Sequence, residues 1–382
     1  MIATLAGSAL AMAVSARPAA WSARVGSMAP RVSGQATTVD ENGRIVSQLH
    51  SRARPFPALR LVPTDAGAIA RRAAALWRSD RFGRVTAASR PSRPRATTSP
   101  SRRRACLHSS PTTNELWAYE GDEWRQLATA GEGPGPRMYA ASAVLGRSLY
   151  LFGGWDPEAP GSGGSFKDEV WALDLYSMEW SKREPMPCGP TSRHTACTVG
   201  DQIIIHTFRG IYVCDGGALR EQPTSGDAPD GLSMCVAAAL GDNTLLVVGG
   251  ATREQAMSAD ARVLDTRTWE WTKLTPAGAA PSPRASACAA SLGDGAAVVF
   301  GGAGLGGQGY DGGGGLVAMP ETWTVHVDGG KAQWAQIETD DTPPPRVAAS
   351  LSPLPAGGFL LAGGWDPQTK ETHAEPYVFT RG

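Results

Sequence analysis

The sequence predicts an all-β fold built from one four-stranded unit that recurs along the chain. Three observations carry this prediction. An apolar run that ends in Gly-Gly recurs every 40 to 60 residues or so, a second short apolar run and then a tryptophan follow it, and nothing between them has a helical period. The clearest copy is "LYLFGGWDPEAPGSGGSFKDEVWALDLYSMEW", from Leu149 to Trp180. Further copies of the diglycine strand lie at Leu245–Gly250, Ala296–Gly302 and Phe359–Pro367. A copy that matches less well, without the diglycine, begins at Ile203.

Each unit opens with a turn rich in proline or glycine that usually ends in an arginine. These head arginines are Arg137, Arg193, Arg284 and Arg346. A strand of small residues, the diglycine strand and two further strands follow, joined by turn residues. One such unit cannot bury both of its faces, so we expect the units to stack radially and cover each other. The glycines then allow close approach of neighbouring backbone, and the tryptophans fill the space between units.

A diglycine after a hydrophobic strand, followed by a spaced aromatic residue and a tryptophan, resembles the kelch repeat, and the match covers about residues 114–382. The resemblance implies a kelch-type β-propeller of five or six four-stranded blades, with a central channel and loop faces that bind partners. Ring closure depends on Asn114–Leu127, which has the pattern of two strands. If only the second strand completes the last blade, the ring has five blades. If both belong to a blade of their own, it has six, one of them incomplete.

The net charge of zero hides two parts of opposite charge. Residues 1–104 contain 18 arginines, no lysine and four acidic residues, whereas the rest contains 18 basic and 32 acidic residues. We therefore divide the chain into an Arg-, Ala-, Ser- and Pro-rich leader, residues 1–105, that is largely disordered, and a propeller, residues 106–382. An acidic body argues against nucleic acid as a partner, because phosphate binding needs a basic face.

The leader begins with sixteen uncharged residues that end in small side chains, and an acid-poor, arginine-rich stretch follows. Together these features resemble a bipartite plastid-targeting segment and predict a plastid or another organelle as the location. The alternative is a disordered tail or a misassigned start of the gene, with a cytoplasmic protein. Beyond this leader, no run of 18 apolar residues predicts a membrane span.

The six cysteines are expected to be reduced and mostly structural. No pair has the CxxC spacing of a zinc or redox motif. Cys197 and Cys288 each lie four residues after a head arginine, and Cys235 is assigned to the matching place in a unit without one. Other units have Ala141 and Ser350 there, so the position is predicted to hold a small buried group.

The resemblance also predicts a binding face. In kelch propellers the loop that enters the first strand and the loop after the diglycine lie on the same face. Arg137, Arg193, Arg284 and Arg346 would then ring that face near the channel, with Trp155 and Trp365 on neighbouring loops and Tyr139 and His194 just beyond two of the arginines. Arginine and tryptophan are common at the energetic centres of interfaces, and arginine can clamp a carboxylate. The alternative is structural: a residue repeated at one position can hold backbone carbonyls or an acid in the next blade.

These observations predict a protein-interaction scaffold that binds a protein partner, with an acidic peptide segment as a candidate ligand. We expect no catalytic residues, no metal and no cofactor, because the histidines are scattered and the glycine-rich "GAGLGG" at Gly302–Gly307 has no helix after it to hold a dinucleotide. Two alternatives remain open. One is metal-dependent or small-molecule catalysis at the channel mouth, and the other is carbohydrate binding through Trp155 and Trp365.

Overall fold

The computed structural model describes residues 20–23, 36–39, 45–48, 114–120, 123–160, 163–254, 256–305, 315–338, 342–354 and 358–380. These residues form β-strands, turns and loops, and none is helical. Accordingly, the described part of the chain has no helix that could cross a membrane. The predicted all-β class is confirmed.

The first five strands lie on both sides of a long connection. They are β1 (Ala20–Ala23), β2 (Ala36–Val39), β3 (Ile45–Gln48), β4 (Leu116–Glu120) and β5 (Glu123–Leu127). Strands β2, β3, β4 and β5 pair in that order, and each pair is antiparallel. We call this the N-terminal sheet.

Five further sheets carry the repeat, and we number these blades I to V along the chain. Blade I has β6 (Ala141–Leu145), β7 (Ser148–Phe152), a small hairpin of β8 (Trp155–Asp156) and β9 (Ser165–Phe166), then β10 (Val170–Asp174) and β11 (Glu179–Arg183). Blade II has β12 (Thr195–Val199), β13 (Gln202–Thr207), β14 (Gly210–Cys214) and β15 (Leu219–Gln222). Blade III has β16 (Ser225–Gly226), β17 (Val236–Ala239), β18 (Thr244–Val248), β19 (Ala261–Asp265) and β20 (Glu270–Lys273).

Blade IV has β21 (Thr275–Ala277), β22 (Cys288–Gly293), β23 (Ala296–Phe300), a small hairpin of β24 (Ala303–Leu305) and β25 (Leu316–Ala318), then β26 (Thr322–Asp328) and β27 (Lys331–Ile337). Blade V has β28 (Val347–Pro353), β29 (Phe359–Trp365) and β30 (Tyr377–Thr380). Its fourth strand is β1, from the start of the chain, which pairs antiparallel with β30.

The inner strands close a ring. Each contacts the inner strand of the next blade, and β2 of the N-terminal sheet contacts both β6 and β28. Both strands of Asn114–Leu127 therefore belong to one sheet, which lies between blades V and I. This agrees with the second of the two closures that the sequence left open, and the kelch-type propeller is confirmed.

Three strands differ from the predicted division of the chain at residue 105. Strands β1, β2 and β3 lie within the segment assigned to a leader, yet they pair with β30 and β4. Pairing supplies hydrogen-bond partners to strand edges that would otherwise be open. The rest of residues 1–113 lies outside the described residues, and the targeting role stays a prediction.

The tryptophans at the ends of the units pack between sheets, as the sequence predicts. Trp180 is buried with Leu116 of the N-terminal sheet, and Trp271 is buried with Ile204 of blade II. Trp334 is buried with Val236 of blade III. Each indole therefore covers the face of the preceding sheet, where its large apolar area contributes most to the core.

The diglycines make the backbone contact between blades. Both glycines of each pair have a left-handed backbone, with φ of +67° at Gly301 and +90° at Gly302. The N–H of Gly302 donates to the carbonyl of Arg346 in the next blade at 3.1 Å, and Gly250 donates in the same way to Arg284 at 2.9 Å. A Cβ on Gly301 would lie 2.7 Å from the Arg346 oxygen. Only glycine allows both the turn and this close approach.

The cysteines are small core residues, but two were assigned to the wrong position. Cys288 pairs with Phe300, just before a diglycine, as Ala141 and Ser350 do with their partners in blades I and V. In blades II and III this position holds Thr195 and Val236.

Cys197 therefore lies two residues after this position in blade II, and Cys235 lies one residue before it in blade III. The described cysteines are free thiols, and Cys106 lies outside the described residues. Burial raises the pKa of Cys235 and Cys288 to about 12, so both stay neutral.

We predict that Gly301→Ala destabilises the protein more than Gly329→Ala. Both glycines have positive φ, and both substitutions cost about 1 kcal/mol of backbone strain. An added Cβ at Gly329 meets nothing within 4 Å, whereas at Gly301 it meets the Arg346 carbonyl. The clash should add about 1–3 kcal/mol to the loss in free energy of unfolding. Urea unfolding of both variants measures the difference, and equal losses would contradict the contact between blades.

Candidate functional site

Three of the four head arginines are interior residues. Arg137, Arg284 and Arg346 are 1%, 2% and 1% exposed. In each, Nη1 donates to the carbonyl of the first glycine of the blade's own diglycine, at 3.0–3.1 Å, and Nε donates to the carbonyl two residues earlier. The guanidinium thus locks the start of the inner strand to the end of the second strand.

Two of these arginines also pair with an acid just before the third strand. Arg137 Nη2 contacts Glu169 at 2.6 Å, and Arg284 Nη2 contacts Glu321 at 3.2 Å. Burial alone would raise the pKa of Glu169, but hydrogen bonds from Arg137, Lys182 and Trp171 outweigh it and lower the pKa to about 2. In blade V, Arg346 lies over the Tyr377 ring at 5.3 Å instead, and burial lowers its pKa to about 10.

The predicted ring of four arginines on an exposed face is therefore wrong for Arg137, Arg284 and Arg346. Their guanidinium groups donate to carbonyls of their own blades, and Arg137 and Arg284 also pair with an acid there, whereas Nη2 of Arg346 has no hydrogen-bond partner among the described residues. These three arginines instead have the structural role that the sequence analysis gave as the alternative, which is to hold backbone carbonyls or an acid.

Arg193 occupies a different position, two residues further along its blade. The head position of blade II is held by Thr191, whose carbonyl accepts from Gly154 of blade I at 2.9 Å. Arg193 instead belongs to a set of non-glycine residues with left-handed backbone, φ +52° to +57°, near the start of the inner strand in blades I to V: Tyr139, Arg193, Met234, Ser286 and Ala348.

Backbone hydrogen bonds join this set from blade to blade. The N–H groups of Arg193, Met234, Ser286 and Ala348 donate to the carbonyls of Tyr139, Arg193, Met234 and Ser286 at 2.8–3.0 Å. These bonds hold five positions in a strained conformation at the channel mouth. Among the five side chains, only that of Arg193 is charged.

The Arg193 side chain is held by aromatic rings. Its guanidinium carbon lies 4.7 Å from the ring centre of Tyr139 and 5.7 Å from that of Trp155. Its Nη1 donates a hydrogen bond to the Ser192 hydroxyl at 3.5 Å. Within the described residues no acid forms an ion pair with it. Stacking occupies the flat faces of a guanidinium and leaves its N–H edges available for an anion.

Of the two predicted tryptophans, Trp155 lies beside this cation and Trp365 lies across the central cavity from it. Trp155 begins the β8–β9 hairpin, donates from Nε1 to Gly163 at 2.9 Å, and stacks on Phe166 at 6.3 Å. Trp365 ends β29 and lies under the ammonium of Lys370 at 5.4 Å. Trp365, Tyr139 and Arg193 all border a cavity of about 50 Å³ at the centre of the ring. We call the side of the ring that carries Tyr139, Trp155, Arg193 and Trp365 the channel face.

The prediction that His194 belongs to this face is wrong. His194 lies inside blade II and is almost completely buried, as is His206 on the neighbouring strand. Burial lowers the pKa of His194 to about 4, and the nearby His206 adds to the shift. Burial also lowers the pKa of His206 to about 4. Among the residues that the structure describes, no three His, Cys, Asp or Glu side chains form a metal-binding group.

Sequence reasoning missed a second cluster on the channel face. Blade II has "FRG" where other blades have the diglycine, and the turn holds Phe208 and Arg209. Arg209 lies 4.9 Å from the centre of the Phe208 ring, and so does Arg253 of blade III. The sequence showed that this blade departs from the repeat, but the departure predicted only a blade that packs less well.

Comparisons with known proteins agree with this architecture. Residues 211–380 match the family model of the KLHDC2/KLHL20/DRC7 Kelch-repeats domain, and residues 136–187 match that of the Kelch motif. The solved structure titled "Structure of YjhT" is similar in fold, with a TM-score of 0.60 and 15% identity over 93% of this chain and 97% of that one.

Curated relatives are similar over parts of their length. Adagio-like protein 1 of Oryza sativa subsp. japonica is 27% identical over 63% of this chain and 41% of its own. Host cell factor of Drosophila melanogaster is 31% identical over 25% of this chain and 7% of its own. Acyl-CoA-binding domain-containing protein 5 of Arabidopsis thaliana is 26% identical over 47% and 21%. The chain thus spans less than half the length of these relatives.

We predict that Arg284→Met and Arg193→Met have very different effects on stability. The first leaves the Gly301 carbonyl and Glu321 without their buried partner and should lower the free energy of unfolding by about 3 kcal/mol or more. The second removes a partly exposed cation and should change it by less than about 1 kcal/mol. Urea unfolding followed by tryptophan fluorescence measures both changes in stability. Equal losses would contradict the distinction between the buried structural arginine, Arg284, and the channel-face arginine, Arg193.

We also predict a loss of stability in acid that depends on His194 and His206. Their folded pKa of about 4 lies below the usual value of about 6.5, so the unfolded chain binds protons first. Their contribution is complete above pH 6.5 and is lost as the pH falls towards 4. Thermal unfolding across this range should show a steeper loss for the natural chain than for a His194→Gln/His206→Gln variant. Parallel curves would contradict the assignment.

Proposed function

The chain belongs to the kelch-repeat family, and from that premise we propose that it is a protein-interaction module that binds its partner through the channel face. A single observation carries the choice of face. Arg193 is held at the channel mouth by Tyr139 and Trp155 and has no acid paired with it among the described residues, while the other head arginines are buried inside their blades.

The shape of the site favours a protein surface over a small substrate. The cavity at the centre of the ring is about 50 Å³, whereas pockets for small molecules usually enclose about 300–1,000 Å³. A shallow depression of this size accepts the end of one side chain. Around it, Trp155 and Trp365 are half-buried, so they offer aromatic edges to a partner lying across the mouth.

Charge favours an acidic segment in that partner. Arg193 is the one charged member of the five left-handed residues, and a carboxylate can accept two hydrogen bonds from a guanidinium edge. Since Tyr139 and Trp155 already orient the group, little side-chain entropy remains to be lost on binding. An acidic peptide segment is therefore the ligand that we propose for the channel mouth.

The two alternatives have less support. Carbohydrate binding needs free tryptophan faces, but Trp155 already stacks on Phe166 and Arg193, and Trp365 lies under Lys370. Metal-dependent catalysis has no anchor in the described residues, because His194 and His206 are buried and no group of three ligands accompanies them.

The proposal is tested with the full chain and two glutamine variants. Arg193→Gln removes the channel cation. Arg220→Gln is the matched control, because Arg220 is an exposed arginine of the same blade that lies on its outer strand, β15. Proteins captured by the natural chain are identified and quantified by mass spectrometry. We expect a specific partner to be lost with Arg193→Gln and kept with Arg220→Gln, both variants unfolding at the same urea concentration as the natural chain. Equal capture by both variants would reject the channel face.

A further inference from the structure

The connection between the second and third strands of blade II is unusually short. Strand β13 ends at Thr207 and β14 begins at Gly210, so only Phe208 and Arg209 link them. In blade I the same connection runs from Gly153 to Glu169, and in blade III from Gly249 to Asp260. The short turn of blade II therefore leaves a notch between two longer connections on the channel face.

The notch contains an aromatic ring and two cations. Phe208 is half-buried, and Arg209 and Arg253 are exposed. Both guanidinium carbons lie 4.9 Å from the Phe208 ring centre. Arg209 also donates from Nη1 to the Cys188 carbonyl. The Phe208 ring thus positions two positive charges around one aromatic group, and an anion that contacts their N–H edges would be stabilised there.

The nearest acid in the sequence does not neutralise the pair. Glu254 follows Arg253 directly, but the largest cause that lowers its pKa is its own backbone N–H. Arg253 is a smaller contributor to that shift. Neither arginine of the notch forms an ion pair with an acid within the described residues.

The sheet sets the backbone spacing between the notch turn and the strand that follows Arg193. Arg193 lies two residues before β12, and the notch turn joins β13 to β14, in the order β12-β13-β14-β15. With neighbouring strands about 4.8 Å apart, the middle of that turn is one and a half spacings from β12, or about 7 Å. In an extended peptide, side chains on the same side recur every two residues, at about 6.8 Å.

We propose that the notch of Phe208, Arg209 and Arg253 is a second anion subsite, and that the partner's contact segment is an extended acidic peptide with carboxylates on alternate residues. One carboxylate binds Arg193 and the next binds the notch. The inference rests on the proposed function, because it assigns a second contact to the same partner. It also predicts that the segment runs outward along blade II from the channel.

The test uses labelled peptides of defined sequence and the full chain. The first fluorescein-labelled peptide, Gly-Ser-Glu-Ser-Glu-Ser-Gly, has its glutamates on alternate residues. The second has them adjacent, the third has glutamine in their place, and the fourth has phosphoserine at the second acidic position. Fluorescence anisotropy at low ionic strength measures affinity, because salt screens exposed charges.

The variants are Arg193→Gln, Arg253→Gln and the control Arg267→Gln. Arg267 is also an exposed arginine of blade III, but it lies in the β19–β20 turn and pairs with Asp265. We expect the alternate peptide to bind about threefold to fivefold more tightly than the adjacent one. Arg193→Gln and Arg253→Gln should each remove that advantage, and Arg267→Gln should keep it.

The outcomes separate the two proposals. If Arg193→Gln weakens binding and Arg253→Gln does not, the channel site stands and the notch is rejected. If only Arg253→Gln weakens binding, the notch binds anions but the channel mouth is rejected as the peptide site. Tighter binding of the phosphoserine peptide, lost with Arg253→Gln, would support the notch and identify phosphate as its anion. Equal affinity for the first three peptides would overturn the inference.

Discussion

The fold depends on the bond between a buried guanidinium and the first carbonyl of a diglycine. In blade IV, Arg284 closes the inner strand onto the second strand through Gly301, while the next residue, Gly302, reaches the carbonyl of Arg346 in blade V. One short motif therefore fixes both a blade and its junction with its neighbour. Because each arginine is at most 2% exposed, loss of one of these partners would leave more of a buried charge uncompensated. This makes the motif intolerant of change and independent of any ligand.

Both proposals place the binding of a partner at positions where this motif is missing. Blade II has Thr191 in place of the arginine and "FRG" in place of the diglycine, and it contributes Arg193, Phe208 and Arg209 to the channel face. Arg193 is not part of such a buried bond and is partly exposed. The short turn of Phe208 and Arg209 leaves room on the same blade. The blade that matches the repeat least well is thus the blade on which both proposals rest.

The regular parts of the fold could be predicted because they depend on local pattern. Strand, diglycine and tryptophan recur at similar spacing, and their packing follows from periodicity. The candidate site was harder to predict from the sequence. Counting from the arginine in "TSR" put Arg193 in the head position, because a sequence does not show which residue adopts the left-handed turn. His194 was expected outside for the same reason. Strands β1, β2 and β3 are four residues long and lack a diglycine, so nothing in their sequence marked them as part of the propeller.

The pairing of β1 with β30 has a consequence for how the protein is made. Ala20 pairs with Thr380, so the two strands lie at opposite ends of the chain. Blades I to IV are each built from contiguous sequence, whereas blade V takes its outer strand, β1, from a segment that is synthesised long before β28, β29 and β30. The entropy of closing so long a loop grows only slowly with its length, but contacts between distant residues form late. Until β30 has been made and pairs with it, the edge of β1 is open, and the newly made chain is at its most vulnerable to pairing with another copy.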